Sequence, residues 1–142
     1  MKNPALPIRV GVIAALKTVL PDTPIRDTEA GPNDQLPYVL LSTQTMTDDS
    51  PKTNFQVQST LLIQVVDKKS LTVNRGVVDN ITNIILQMLI PQNGNDYITV
   101  TGFKVCHVTL DSLNDTVIQE TDGVSTRKLI RLRFTLYETD IT

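Results

Sequence analysis

Residues 55–67 read FQVQSTLLIQVVD, and this stretch decides the fold. Phe55, Val57, Leu61, Ile63 and Val65 share one parity, while Gln56, Gln58, Thr60 and Gln64 share the other, with Leu62 and Val66 as apolar exceptions. Successive side chains on a strand point to opposite faces, so this period of two predicts a long strand with one apolar and one polar face. Residues 127–137 repeat the pattern: Ile130, Leu132, Phe134 and Leu136 alternate with Arg127, Arg131, Arg133, Thr135 and Tyr137, leaving Leu129 as the exception. Sequential strands of this kind form antiparallel sheets that need cover on one side only.

Working outward, residues 38–46 read as another strand, residues 102–110 as a further one, and residues 116–121 as a shorter one ahead of Asp122-Gly123, a strong hairpin signal. Two segments change to a helical period. Ile8, Val12, Ile13, Leu16, Val19 and Leu20 recur at steps of three and four, with Pro7 suited to the first turn and Pro21 ending the helix. Val73, Val77, Val78, Ile81, Ile84, Ile85, Met88 and Leu89 form a second stripe, opposite Asn74, Arg75, Asp79, Asn80, Asn83 and Gln87, and it stops at Pro91 and Asn93-Gly94-Asn95. Both stripes are too broad for a coiled-coil seam, so each helix is expected to cover the apolar side of the chain's own sheet. The predicted fold is α+β: a two-layer, mainly antiparallel β-sheet of four to five strands with two helices packed on one face. The longest connection, residues 21–37, is expected to hold a short extended piece at residues 25–27.

The chain has 142 residues, with 13 Lys plus Arg against 15 Asp plus Glu and a formal charge of −2. At this length a single domain over residues 1–142 is expected to bury about 70% of its chain surface and to need no metal or disulfide staple. Interspersed charge of both signs supplies no basic field for phosphates or anionic lipid. One cysteine cannot close an internal disulfide, which fits a reducing, intracellular setting. Pro4, Pro7, Arg9 and Lys17 interrupt the apolar start, which reads as a structural helix rather than a signal peptide, and no run approaches the roughly 18 apolar residues of a membrane span. Without a secretory signal, Asn80-Ile81-Thr82 and Asn114-Asp115-Thr116 read as chance matches to the glycosylation pattern.

Reactive groups are scarce. Cys106 adjoins His107, but neighbours on a strand point apart, so a thiolate–imidazole pair would need a bulge between them. No paired His or Cys spacing supports a metal, and no glycine-rich phosphate loop or nucleophile elbow occurs. The remaining carboxylates, Asp48, Asp49, Asp111, Asp115 and Asp122, fall in predicted loops and turns, where Asp caps the backbone. No catalytic, cofactor or metal residue is therefore assigned. What stands out is surface. Arg127, Arg131 and Arg133 project from one side of the last strand toward the Gln-rich face, and arginine suits a surface that another protein covers. The loop TDDSPKTN at residues 47–54, with Asp48, Asp49 and Lys52, is too polar to pack and reads either as an arm reaching another subunit or as a solvated hairpin tip.

The order of elements resembles the tail-terminator, or tail-completion, family of tailed bacteriophages. The likeness rests on the first helix (residues 7–20), Ile25-Arg26-Asp27, the strand opening Leu36-Pro37-Tyr38-Val39-Leu40-Leu41, the strand at residues 58–65, the second helix (residues 73–90), and the closing strand with Arg131-Leu132-Arg133-Phe134-Thr135-Leu136. It covers nearly the whole chain. The resemblance implies a non-enzymatic virion protein, made in the host cytoplasm, that forms a ring at the head-proximal end of the tail tube. Such a ring ends tube polymerisation and joins the tail to the head. Its implied partners are identical subunits, the tail tube protein and the head–tail connector; genomic DNA passes the lumen without specific binding, and no membrane is involved. The last-strand arginines are then expected to pair with a neighbour, and Asp48 and Asp49 to face lumen or tube. A head-to-tail connector or neck adaptor is the near alternative. A cytoplasmic adaptor domain and a carboxylate-based hydrolase are alternatives of other classes.

Overall fold

The computed structural model of the chain describes residues 2–27, 37–48, 56–69, 76–93, 97–120 and 123–139. Along the sequence run α1 (Ala5–Val19), β1 (Ile25–Arg26), β2 (Tyr38–Asp48), β3 (Gln56–Lys69), α2 (Gly76–Leu89), β4 (Phe103–Glu120) and β5 (Gly123–Glu138). The five strands form one sheet in the order β1-β2-β3-β5-β4. Only β1 is parallel to its neighbour; the other pairings are antiparallel. The expected α+β fold, with two helices on one side of a mainly antiparallel sheet, is what the chain adopts.

The alternation in residues 56–67 works as the pleat requires. Val57, Leu61, Ile63 and Val65 stand opposite Leu136, Leu132, Ile130 and Lys128 of β5 in unbroken register. Together with Ile8, Val12 and Leu16 of α1 and Val78, Ile81, Ile85 and Leu89 of α2, the apolar members form a single core cluster. Full burial of each such side chain contributes about 1.5–3 kcal/mol before chain entropy is counted. α1 covers β1 and β2, α2 covers β3 and β5, and the helices also touch each other.

Local chemistry sets the ends. Asn3 Oδ1 accepts the Ala5 N–H at 2.9 Å, which satisfies one orphan donor at the start of α1. At its other end the Leu20 N–H reaches Leu16 O at 2.8 Å before Pro21 stops the helix. Gly11 is where α1 meets the segment before β4: a Cβ there would lie 2.6 Å from the Thr99 carbonyl oxygen. Gly102, at φ +83°, closes the turn in which Phe103 N–H donates to Val100 O at 3.0 Å, a geometry that favours glycine at this place.

The structure corrects one stretch. Residues 102–110 and 116–121 are not separate strands but parts of β4, which runs unbroken from Phe103 to Glu120. Its register shifts between Val105 and His107 and again between Leu110 and Ser112, so Cys106 and Asp111 are extra residues in two bulges. Each bulge inserts one residue and resets the period of two. The inward row therefore reads Phe103, Val105, Val108, Leu110, Leu113, Asp115, Val117, with a step of three at each bulge that alternation alone does not follow. Asp111 and Asp115 consequently lie on a strand and not in loops. The β4–β5 pairing continues to Glu120 opposite Gly123, which places the hairpin connection where Asp122-Gly123 signalled it.

Candidate assembly surface

The far side of the sheet is built from the residues left over by the core. On β5 these are Arg127, Leu129, Arg131, Arg133, Thr135 and Tyr137; opposite them stand Val66, Gln64, Leu62, Thr60, Gln58 and Gln56 of β3. The three arginines share this face, and two of them reach its glutamines. Arg127 Nη1 donates to Gln64 Oε1 at 2.9 Å, and Arg133 Nη1 donates to Gln58 Oε1 at 2.9 Å. Arg133 also takes the Asp111 carboxylate with Nε and Nη2, at 3.1 and 2.9 Å. These charge-assisted bonds hold its pKa above the usual arginine value. Arg131 lies between them, opposite Leu62 on one side and Ser112 on the other, and its side chain has no hydrogen bond or ion pair among the described residues. The row thus carries two guanidinium groups already tied to their own sheet and one that is not.

This face is not uniformly wet. Tyr38, Leu40 and Val66 form a second buried cluster on it, each no more than 6% exposed. Val66, an exception to the alternation, finds its reason there. Farther along the same face, the Thr45 and Thr60 hydroxyls hydrogen-bond across the β2–β3 pair.

Of the hairpin residues expected to reach a partner, Asp48 is the exposed last residue of β2, opposite Val57. Asp49 and Lys52 lie outside the described residues, as does Asp122. Cys106 and His107 meet the one condition that could have paired them, a bulge, yet both are exposed and no hydrogen bond joins them. Partial burial pushes the Cys106 thiol up, and the opposing pull of Lys104 is the weaker influence, so the thiol is not activated. Among the described residues no group of three or more His, Cys, Asp or Glu could hold a metal ion, and no helix is long and apolar enough to cross a membrane.

Two features of the other side escape a reading of the sequence. Lys128 is a charge in the middle of the inward row of β5, with its side chain 11% exposed, and its ammonium bridges Asp115 of β4 at 2.5 Å and Asp79 of α2 at 3.0 Å. Burial works to lower its pKa, but the two carboxylates outweigh burial and hold it above the ordinary lysine value. The second feature is bare apolar surface: Leu110, Leu113 and Val117 of β4 are 37–42% exposed, and Leu6 and Val10 of α1 are 68% and 56% exposed. A hint for α1 was present, since its only charges are Arg9 and Lys17.

No protein-family model and no curated protein matches the chain. Its fold is similar to that of a chain from the virion of a native gene transfer agent (GTA) particle, with a TM-score of 0.74 and 13% identity, over 96% of this chain and 99% of that one.

Proposed function

We propose that the protein is a structural subunit of a virion, and that its whole length acts as a single tail-terminator-like domain forming a ring at the head-proximal end of a tail tube. The observation that carries this reading is the near end-to-end likeness to a chain of a virion particle, with neither chain extending much beyond the shared fold. The geometry supports it: an 18-residue strand at the sheet edge presents a long ladder that no other described strand pairs, a liability in a lone molecule that assembly removes. A ring subunit sets one surface against a different surface of the next copy until rotation closes the set. In this reading Arg131, the one guanidinium of its row left without a partner among the described residues, meets a neighbouring chain. Arg127 and Arg133 hold that surface in shape, while Asp48 and Asp49 face tube or lumen and Lys52 belongs to the contact with a partner. The near-neutral chain lets DNA pass without being held.

Electron microscopy and light scattering of the purified chain test the reading. Closed rings that cap preassembled tail tubes are the expected result. Rings that bind only head connector would move the protein to the neck. A chain that stays monomeric at high concentration and gains no partner from tube or connector would overturn the reading. Arg131→Glu is expected to abolish docking with circular dichroism unchanged; unaltered docking removes Arg131 from the contact.

A further inference from the structure

The two helices differ in the side they turn away from the core. The exposed positions of α2 are polar: Asp79, Asn80, Asn83 and Gln87. Those of α1 begin with Leu6, Val10 and Ala14, at steps of four, and end in the polar Lys17 and Thr18 of the last turn. With Ile8, Val12 and Leu16 buried on the inward side, α1 is apolar on both faces. A helix side that is apolar is normally covered, and among the described residues nothing covers Leu6 and Val10 on the outer side of α1.

A second bare stripe stands at the other edge of the sheet. Leu113 and Val117 flank Asp115 on the inward side of β4, and Leu110 joins them across the bulge at Asp111. Leu132 and Ile130, directly opposite Leu110 and Leu113, are fully buried, so the cover over the sheet ends one strand short of this row. The stripes are comparable in reach. Leu110 to Val117 stand opposite Leu132 to Thr126, six steps of regular strand or about 20 Å, and Leu6 to Lys17 rise about 17 Å along α1. Because α1 lies over β1 and β2 while β4 is the far strand, the two cannot meet within one copy. Their charges match as well. Beside the β4 stripe two carboxylates, Asp79 and Asp115, share the single ammonium of Lys128 and leave one negative charge over. On the outer stripe of α1, Lys17 is exposed and has no ion-pair partner among the described residues.

We infer that the outer face of α1 docks on the Leu110–Leu113–Val117 stripe of a second copy of this chain, with Lys17 set toward the Asp79–Asp115 pair. The inference rests on the ring reading and specifies which surfaces join successive subunits. The contact is heterologous: each copy offers α1 at one edge and β4 at the other, so it propagates until it closes.

Val10→Asp and Leu113→Asp, each checked for a native circular dichroism spectrum, test it by analytical ultracentrifugation. Either variant alone is expected to lose assembly and sediment as a monomer. A one-to-one mixture should form a heterodimer and stop there, because only one intact α1 and one intact β4 stripe remain to meet. Should either variant misfold, Lys17→Glu replaces it: assembly is expected to weaken, and Asp79→Lys in the same chain to restore it. Homodimers formed by one variant alone would show like-to-like contacts and overturn the inference. So would vesicles of neutral and anionic phospholipid that bind the wild type through Val10 while assembly survives both substitutions. Rings that persist in both variants discard this contact and leave the ring reading standing; a wild type that never assembles, with or without tube, overturns both.

Discussion

Arg133 holds the carboxylate of Asp111 in a two-pronged contact, Nε to Oδ1 at 3.1 Å and Nη2 to Oδ2 at 2.9 Å, and Asp111 is the extra residue of the second bulge in β4. Asp111 follows the inward-facing Leu110 and so points to the arginine row, and the bulge keeps Ser112, opposite Arg131, on that face as well before Leu113 returns inward. The pair is solvent-facing, so salt screens it: the Debye length falls from about 30 Å at 0.01 M to about 3 Å at 1 M. Asp111→Ala is expected to lower the melting temperature slightly in dilute buffer, with the difference from wild type closing in molar salt. Thermal unfolding across a salt series measures this; a difference that salt does not change would mean that the bulge depends on Asp111 in some other way.

Lys128 makes stability depend on alkaline pH. Its folded pKa lies above the ordinary value of about 10.4, so the bridge to Asp115 and Asp79 contributes fully below that value and is lost as pH rises through the folded pKa. Urea unfolding of the wild type is therefore expected to weaken between pH 9 and the alkaline limit more steeply than that of Lys128→Met. Both carboxylates remain partly exposed and can hydrate once the ammonium is gone, which keeps the variant foldable.

Gly11→Ala sets two effects against each other. Alanine normally gains about 1 kcal/mol over glycine inside a helix. Here the new Cβ would sit 2.6 Å from a backbone carbonyl oxygen, a distance that forces α1 or the Thr99 segment to move. Overpacking of this kind costs about 1–3 kcal/mol, so the expected net result is destabilisation, read as a lower urea midpoint. An equal or higher midpoint would show that the segment before β4 yields freely.

Leu110 and Leu132 are register partners with opposite burial, 42% and 0% exposed. Leu132→Ala is expected to cost about 2–5 kcal/mol of chain stability, whereas Leu110→Ala should stay within about 0.5 kcal/mol on the isolated chain. Chemical denaturation of both variants at low concentration makes the comparison.

The sheet was legible where a strand kept strict alternation. Phe55 to Asp67 and Arg127 to Tyr137 each show a face per parity, and the arginines stand where their parity puts them, over Gln58 and Gln64. β4 was not legible, because Cys106 and Asp111 shift the parity twice and split one strand into two apparent ones. The expected arm carrying Asp49 and Lys52 falls outside the described residues. The sequence also showed three like cations in a row without showing that Gln64, Gln58 and Asp111 hold two of them and leave Arg131 without a described partner.

Periodicity is local, so the chain alone determined its helices, its regular strands and the two-layer α+β class: each depends only on which residues repeat every two or every three to four positions. Register, bulges and the reach of each covering helix depend on contacts between segments far apart in the chain, such as Lys128 with Asp79, or Leu110 beside Leu132. Those contacts decided that α2 stops one strand short of β4 and that α1 keeps a second apolar face. No stretch read by itself could show either, because exposure belongs to what lies across from a residue, not to the residue.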